Sequence, residues 1–375
     1  MTETSQASLD AARAILADTP ILDGHNDLPW ALRWAGESPS SPVDISGHVE
    51  FTQTDLPRLR AGGVGAQFWS VFVPSELQGD SAVAATLEQI DRALRMIASQ
   101  PADLELALSA ADVTRIMASG KIASLLGAEG GHSIASSLGV LRALHALGVR
   151  YMTLTHNRNV PWADSATDEP ELGGLNDFGR EVVAEMQRIG VLVDLSHVSP
   201  GTMNAALDVA TRPVIFSHSS ARAITDHPRN VPDQVLERIT GNGGVVMVTF
   251  VPPFVSAACS QWFKDARAEA ERRGVEFDPW AGPDQLGDWA AAHPMPRATV
   301  SDVADHADHV REVAGIHHVG IGGDFDGTSS LPVGLADVSG YPRLFAELSD
   351  RGWTADDLGK LASGNIIRVM RDALG

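Results

Sequence analysis

The chain has 375 residues, of which 44% are hydrophobic and 20% are charged, a balance typical of soluble globular proteins. A formal net charge of −20 argues against a nucleic-acid partner, because phosphates bind to basic surfaces. Cys259 is the only cysteine, which excludes an intrachain disulfide. No apolar run approaches the roughly 20 residues of a membrane span, and the N-terminal residues lack a signal pattern. We therefore expect no membrane partner and a cytoplasmic location.

Short apolar segments alternate with segments of helical periodicity along the whole chain. The apolar segments predict eight strands, at residues 21–27, 64–73, 121–126, 151–154, 191–195, 213–216, 245–250 and 318–322. The periodic segments predict helices at residues 8–17, 81–98, 110–118, 138–147, 177–189, 202–209, 233–239, 258–273, 303–313, 341–348 and 355–374. The strands are continuous apolar runs, which is typical of strands covered on both faces.

This alternation of strand and helix predicts a parallel sheet. Eight such units in a chain of this size favour a closed (β/α)8 TIM-type barrel, with a doubly wound open sheet as the alternative. We expect a single domain over residues 1–375. Residues 254–300 follow the seventh predicted strand, carry several Trp, Pro and Gly residues, and predict a lid-like insertion. Residues 31–60 predict a long loop with one helical turn near Leu56.

Residues that can bind a metal or move a proton follow six of the eight predicted strands. In a barrel of this type the functional residues lie at the C-terminal strand ends, so these side chains should meet at one mouth. His25 and Asp27 are two residues apart on a strand and therefore face the same way. A structural barrel would more often end its strands in Gly, Ser, Thr or Asn. The sequence therefore predicts a metal site formed by some of these residues: His25, Asp27, Glu129, His156, His197, His218 and Asp324.

The number of ligands favours two metal ions. Five ligand-type groups exceed what one tetrahedral zinc ion uses, whereas two ions roughly 3.5–4 Å apart that share a carboxylate would use all of them. Glu129 is the natural bridge, with His25 and Asp27 on one ion and His197 and His218 on the other. The imidazoles favour zinc, and the carboxylates leave manganese or iron open. The predicted cofactor is two Zn²⁺ ions bridged by Glu129 and by a water or hydroxide, which would be the nucleophile.

Three further residues have predicted roles in catalysis or substrate binding. Asp324 is predicted to be the general base that faces the metal-bound water; the alternative, a turn-capping aspartate, suits Asp326 better. His156 is predicted to donate to a carbonyl oxygen or a tetrahedral intermediate. Arg229 is either a surface arginine or a bidentate clamp on a substrate carboxylate. His306, near the last strand, is predicted to be a surface or packing residue.

Seven sequence motifs follow one another along nearly the whole chain, at residues 23–30, 129–133, 154–157, 194–199, 216–220, 229–233 and 322–327. Together they resemble the membrane (renal) dipeptidases, the M19 group of zinc peptidases within the amidohydrolase-like barrels. The resemblance implies one zinc ion on His25, Asp27 and Glu129 and a second on Glu129, His197 and His218. It also implies substrate contacts by His156 and Arg229, and Asp324 at the reacting centre.

Members of that family cleave dipeptides, tolerate a D residue at the C-terminal position, and in some cases open β-lactams. The resemblance therefore implies a dipeptidase with a small peptide substrate, and it leaves a homodimer open. One alternative is a related hydrolase of a lactone, a cyclic amide or β-lactam, or a phosphoester. Another is an inactive barrel that serves as a scaffold, which the complete set of predicted ligands argues against.

This chain also differs from the familiar animal members of the family. They carry a secretion signal, disulfides and a lipid-anchor tail, and this sequence shows none of these, so their location does not transfer. Residues 254–300 are longer than the equivalent segment, which leaves the substrate preference open.

Overall fold

A computed structural model of the protein describes residues 5–38, 40–277 and 283–374. In this part of the chain all strand pairs within the sheet are parallel. The strands are β1 (Ile21–Asn26), β2 (Val64–Phe72), β3 (Leu104–Leu106), β4 (Ile122–Glu129), β5 (Val149–Thr153), β6 (Leu192–Asp194), β7 (Ile215–Phe216), β8 (Val245–Val248) and β9 (Val319–Ile321).

Eight of these strands form a closed barrel. Their order is β2-β1-β9-β8-β7-β6-β5-β4, and pairing between β2 and β4 closes the ring, with Phe72 opposite Glu129. The predicted (β/α)8 barrel is therefore confirmed, and the open-sheet alternative is wrong. Strand β3 lies outside the barrel, where Leu104 pairs with Ile122 at the start of β4. The sequence did not predict β3, because three residues are too short to show a period.

Helices connect the barrel strands and cover the outside of the barrel. They are α1 (Gln6–Asp18), α2 (Leu28–Trp34), α3 (Leu56–Ala61), α4 (Asp80–Ser99), α5 (Ala110–Ala118), α6 (Leu138–Ala146), α7 (Asp177–Ile189), α8 (Pro200–Val209), α9 (Asp233–Asn242), α10 (Pro252–Val255), α11 (Ala257–Arg273), α12 (Asp288–Ala292), α13 (Val300–Ala314), α14 (Tyr341–Asp350), α15 (Ala355–Gly359) and α16 (Asn365–Leu374). A π-helical segment, Lys360–Gly364, separates α15 from α16 within the single helix predicted there.

Local sequence explains where many helices begin and end. Polar side chains at the N-caps accept hydrogen bonds from the first helical turn, as Ser109 does for α5 and Asn176 for α7. Gly190 and Gly243 end α7 and α9 in the left-handed conformation. Helix α2 was not predicted as a helix, although Pro29 stands in its first turn, where proline is tolerated.

One core cluster connects the barrel strands to the site above them. It contains buried side chains from most barrel strands together with residues of α5 and α16. Tyr151 belongs to this cluster and packs against Phe68, with ring centroids 4.9 Å apart. Because the ring of Tyr151 is fixed by this packing, its hydroxyl group is a rigid contact for residues at the strand ends.

The predicted insertion contains α10, α11, a 3-10 turn (Pro283–Leu286) and α12. It has a small apolar cluster of its own, in which Trp262 packs with Ala266 and Leu286. Residues 278–282 of the predicted insertion lie outside the described residues. Its lid function stays a prediction. Within the described ranges, we find no helix with both the length and the hydropathy needed to cross a bilayer.

Candidate functional site

The five predicted metal ligands meet at the C-terminal mouth of the barrel. Glu129, at the end of β4, lies between the others. Its Oε1 is 3.0 Å from Nε2 of His197 and 3.5 Å from Nε2 of His218. Its Oε2 is 3.5 Å from Nε2 of His25, which is in turn 3.2 Å from Oδ2 of Asp27. All five side chains are buried.

These residues form two groups that share Glu129, and a third group includes Asp324. Within each group the potential ligand atoms lie within 4.8 Å of one another. The first two groups, His25–Asp27–Glu129 and Glu129–His197–His218, are the two ligand sets that the sequence predicted. The third, His25–His218–Asp324, was not predicted as a ligand group. Asp324 therefore lies at the edge of this cluster of potential ligands, with its Oδ1 3.8 Å from Nε2 of His25.

Two residues of the site have left-handed backbones, which is uncommon for residues with a side chain. The φ angle is 65° at His197 and 62° at Asp324. Such strain persists only where surrounding contacts hold it. The carbonyl oxygen of His197 accepts a hydrogen bond from the backbone N–H of Ala166 at 2.7 Å. Gly327 is required beside Asp324, because a Cβ there would lie against the carboxylates of Asp27 and Asp324.

Asp194 supports the His218 side of the site. It accepts hydrogen bonds from Thr153 Oγ1 at 2.5 Å, from the backbone N–H of Ser217 at 2.8 Å and from Ser217 Oγ at 2.7 Å. Because Ser217 donates its hydroxyl proton to Asp194, it accepts from Nδ1 of His218, 2.8 Å away. The proton of His218 is thus on Nδ1, which leaves the Nε2 lone pair facing the site.

Asp23 and Tyr151 support the His25 side in the same way. The carboxylate of Asp23 accepts from the backbone N–H of His25 at 2.9 Å, from that of Gly323 at 2.8 Å and from the hydroxyl of Tyr341 at 2.6 Å. Nδ1 of His25 is 2.7 Å from the hydroxyl oxygen of Tyr151. With Nε2 as a metal ligand, Nδ1 donates to that oxygen.

Sequence analysis missed the supporting roles of Asp23 and Asp194. A signal was present in both cases, because each is a charged residue directly after a short apolar run, two or three positions before a predicted histidine ligand. A buried carboxylate requires hydrogen-bond donors, and here these donors are the backbone and side chains that orient the ligands.

The histidines on one side of the site are neutral. Burial, together with the positive charge of Arg229 nearby, lowers the pKa of His197 well below its usual value, and burial does the same for His218. Their Nε2 atoms are only 2.9 Å apart. On the other side, burial opposes protonation of His25, but nearby negative groups, Glu129 among them, outweigh it and raise its pKa.

The carboxylates are crowded, and Glu129 accepts a hydrogen bond from Ser70 Oγ, 3.0 Å from its Oε2. Burial raises the pKa of Glu129, and burial together with the charges of neighbouring carboxylates raises that of Asp324 well above the usual range. Oδ1 of Asp27 is buried and has no hydrogen-bond partner among the described residues. Converging imidazole nitrogens, clustered carboxylates and an unpartnered oxygen are the donor set of a divalent metal site, so the residues fit the predicted cofactor.

Arg229 is buried, only 3% exposed, which rules out the alternative of a surface arginine. Among the described residues its guanidinium makes only long polar contacts, 3.5 Å to Ser219 Oγ and 3.5 Å to the carbonyl oxygen of His218. It also lies over the ring of Phe254, 5.3 Å from the centroid. Burial lowers its pKa to about 10, so it is still protonated at neutral pH. Its donors are therefore available for an anionic ligand.

His156 lies beside this arginine and the metal ligands. Its Nε2 is 3.8 Å from Oε1 of Glu129, and its ring centroid is 4.4 Å from that of His197. Burial lowers its pKa well below the usual value, so it is neutral. Its Nδ1 has no partner among the described residues, which leaves both ring nitrogens free for a ligand.

Asp326 and His306, for which the sequence predicted structural roles, form hydrogen bonds to loops around the site. Oδ1 of Asp326 accepts from the backbone N–H of Gln53, as a loop-capping aspartate does. His306 is completely buried; its Nδ1 accepts from the N–H of Ala221 at 3.0 Å and its Nε2 donates to the carbonyl oxygen of Val255, 3.2 Å away. His306 is therefore a packing residue, one of the two roles predicted for it.

Comparison with known sequences gives matches over nearly the whole chain. Residues 9–374 match the membrane dipeptidase family, peptidase family M19. Dipeptidase 3 of Mus musculus is 41% identical over 367 residues, which cover 96% of this chain and 66% of that protein. Dipeptidase 3 of Macaca fascicularis is 42% identical, with 96% and 67% covered. The chain thus spans about two thirds of the length of these relatives.

Solved structures share the fold at lower identity. The probable dipeptidase PvdM from Pseudomonas aeruginosa has a TM-score of 0.84 at 24% identity, with 98% of this chain and 99% of that chain covered. A metallopeptidase from Rhodobacter sphaeroides, bound to a phosphinate mimic of the dipeptide L-Ala-D-Ala, has a TM-score of 0.78 at 23% identity, with 95% and 99% covered. The sequence matches and the barrel together show that this chain belongs to the membrane dipeptidase family, peptidase family M19, a family of zinc-dependent hydrolases.

Proposed function

We propose that the protein is a binuclear zinc dipeptidase that hydrolyses the peptide bond of short peptides. The observation that carries this proposal is the position of Glu129, whose two oxygens face opposite halves of the site. Oε1 faces His197 and His218, and Oε2 faces His25. A carboxylate in this position can bridge two metal ions.

The residues that would hold the two ions are those of the two groups that share Glu129. His25 and Asp27 complete one set, and His197 and His218 complete the other. When bound, the zinc ions would supply an activated water as the nucleophile and would polarise the carbonyl group of the scissile bond.

Asp324 is the general base in this proposal. It takes a proton from the nucleophile and passes it to the leaving amine. Its carboxylate lies at the edge of the ligand cluster, 3.8 Å from Nε2 of His25. Burial among other carboxylates raises its pKa, and a raised pKa suits a group that must both accept and release a proton near neutral pH.

His156 and Arg229 bind the substrate. His156 donates a hydrogen bond to the oxygen of the scissile carbonyl, where negative charge develops in the transition state. Arg229 binds the C-terminal carboxylate with two parallel hydrogen bonds, for which its planar guanidinium is suited. His156 and Arg229 both lie close to the same ligand cluster. The C-terminal carboxylate of the substrate must therefore be near the scissile bond, which restricts substrates to dipeptides.

The stereochemistry at the C-terminal position is also part of the proposal. The structure of the metallopeptidase from Rhodobacter sphaeroides, which shares this fold, was solved with a phosphinate mimic of the dipeptide L-Ala-D-Ala. This supports the proposal that the present protein also accepts a D residue at that position.

The test is steady-state kinetics of the zinc-loaded protein on a matched library of L-Xaa-L-Xaa and L-Xaa-D-Xaa dipeptides. The same dipeptides with a C-terminal carboxamide are the control for the role of Arg229. We expect hydrolysis of free dipeptides, dependence on two zinc equivalents, and poor hydrolysis of the amides. Activity on a lactone or a phosphoester but on no dipeptide would contradict the proposal.

A further inference from the structure

The turn at residues 323–328 carries Asp324 in a backbone conformation that needs outside support. The φ angle is 62° at Asp324 and 64° at Asp326. Both are left-handed, which costs free energy for residues with a side chain. Phe325, between them, is buried, and its carbonyl oxygen accepts from the N–H of Asp27 at 2.9 Å. This contact anchors the middle of the turn and leaves its second half to be held by other residues.

Gln53 holds that second half, although it is 273 positions away from Asp326. Its Oε1 accepts from the N–H of Asp326 at 2.6 Å, and Oδ1 of Asp326 accepts from the N–H of Gln53 at 2.6 Å. Its Nε2 donates to the carbonyl oxygen of Thr328 at 2.7 Å. Its own carbonyl oxygen accepts from the N–H of Val338 at 3.2 Å. Every polar group of Gln53 therefore contacts the turn or the segment that follows it.

Gln53 is in turn held by a rigid neighbourhood. The residues on either side of it, Thr52 and Thr54, are buried. Arg58 donates to the carbonyl oxygen of Thr52 at 2.7 Å. Oγ1 of Thr54 accepts from Nδ2 of Asn26 at 2.8 Å, which ties this loop to the last residue of β1. Gln53 thus connects the end of the first barrel strand to the turn that follows the last one.

We propose that Gln53 is a positioning residue for Asp324. The inference rests on the proposed function, in which Asp324 is the general base. Because Gln53 contacts the turn that carries Asp324, its loss should displace the Asp324 carboxylate. Gln53 belongs to none of the candidate metal groups, so the two groups that share Glu129 should stay in place. A misplacement of about 1 Å at a reacting group costs about 10²-fold in rate.

The experiment compares Gln53→Ala and Gln53→Met with the wild-type protein, each loaded with zinc, on one dipeptide substrate. Methionine keeps the bulk of the side chain and removes only the hydrogen bonds of its amide group. The methionine variant therefore serves for the comparison if the alanine variant does not fold. We expect kcat to fall by about 10²-fold, with KM and the content of two zinc equivalents unchanged.

Gln187→Ala is the matched control. Gln187 is a buried glutamine that, like the half-buried Gln53, has both ends of its amide in use: it donates to the carbonyl oxygen of Arg212 at 2.9 Å and accepts from the N–H of Thr211 at 2.8 Å. These contacts lie ahead of β7, at the opposite end of the barrel. We expect this variant to lose stability and to keep the wild-type kcat. Equal kcat values for the Gln53 and Gln187 variants would overturn the inference.

A double-mutant cycle with Asp324→Asn separates positioning from general weakening. If Gln53 acts through Asp324, Gln53→Ala should have little further effect on kcat once the carboxylate is gone, because the two effects are not additive. The same loss in both backgrounds would overturn the inference while leaving the dipeptidase proposal intact. A wild-type protein that hydrolyses no dipeptide would instead overturn the proposed function, and is recognised before any variant is made.

Discussion

The two sides of the metal centre are built from different chemical groups around the shared Glu129. We define the imidazole side as His197 and His218, and the carboxylate side as His25, Asp27 and Asp324. On the imidazole side burial keeps both rings neutral. On the carboxylate side burial and mutual repulsion raise the pKa of Asp324, and negative neighbours raise that of His25 against the effect of burial.

Their supports differ as well. Nδ1 of His218 is held by a chain of hydrogen bonds through Ser217 to the buried carboxylate of Asp194. Nδ1 of His25 is held by a single tyrosine hydroxyl, from Tyr151. The difference is that one side consists of neutral imidazoles, whereas the other has two carboxylates besides its histidine; in the proposed function, one of these carboxylates, Asp324, moves protons. Four predictions test this division, starting with the one that has the largest expected effect.

Replacing the carboxylate that moves protons should affect rate and not metal binding. We expect Asp324→Asn to lower kcat by about 10²- to 10⁴-fold, the range for loss of a general base. Both zinc equivalents should stay bound, because His25, Asp27 and Glu129 are unchanged. Steady-state kinetics with metal analysis of the same sample measures both quantities. A variant that keeps full activity with both metals bound would show that the base lies elsewhere.

Removing the buried guanidinium next to the imidazole side should weaken substrate binding. Arg229→Ala removes a charge-assisted contact worth about 2–3 kcal/mol, which corresponds to about 30- to 150-fold in KM for substrates with a free C-terminal carboxylate. The matching dipeptide amides should bind equally poorly to the variant and to the wild type. An equal loss on both substrate types would argue against a carboxylate clamp.

Removing one support from each side should weaken one metal at a time. Ser217→Ala should weaken the zinc ion of the imidazole side, and Tyr151→Phe that of the carboxylate side, each by about 10- to 100-fold. Titration with a competing chelator resolves the two zinc equivalents. If both variants weakened the same equivalent, the division of the site into two sides would be wrong.

The smallest expected effect concerns the free energy of unfolding. His306 accepts a hydrogen bond from Ala221, at the start of the loop that carries Arg229 next to the imidazole side. Burial lowers the pKa of His306 to about 4. The unfolded chain binds a proton there from about pH 6.5 downwards, whereas the folded protein does so only near pH 4. The contribution of His306 to the free energy of unfolding is therefore fully present above about pH 6.5, and it decreases as the pH falls from about 6.5 to about 4. We expect a loss of about 2 kcal/mol between pH 8 and pH 5.

Urea unfolding of the metal-free protein at several pH values measures this effect, with His306→Gln as the comparison. The variant should be less stable at pH 8, and its disadvantage should shrink at pH 5. Parallel curves for the two proteins would show that His306 does not contribute to the pH dependence.

The eight barrel strands could be predicted because each is a local run of apolar residues followed by a helix-forming segment. The convergence of His25, Glu129, His197 and His218 followed from one further rule, that parallel strands of a barrel end at the same mouth. The catalytic roles of Asp324 and His156, a small peptide as substrate, a homodimer and a cytoplasmic location stay predictions.

Short or unpatterned elements could not be predicted in the same way. Strand β3 has three residues, and helix α2 lies in a segment next to Pro, Ser and Gly residues that indicated a loop. The π-helical segment at Lys360–Gly364 could not be distinguished from an α-helix by the spacing of its apolar residues.

The sequence by itself determined the type of barrel and which side chains stand at its mouth, because both depend on patterns within a few neighbouring residues. Only the tertiary structure decided which groups support them: Asp194 beneath Ser217 and His218, and Gln53 across from Asp326. Those partners are far apart in the chain, and their hydrogen bonds depend on the register and curvature of the closed barrel. No local pattern encodes such distances, so they appear only when all strands are in place.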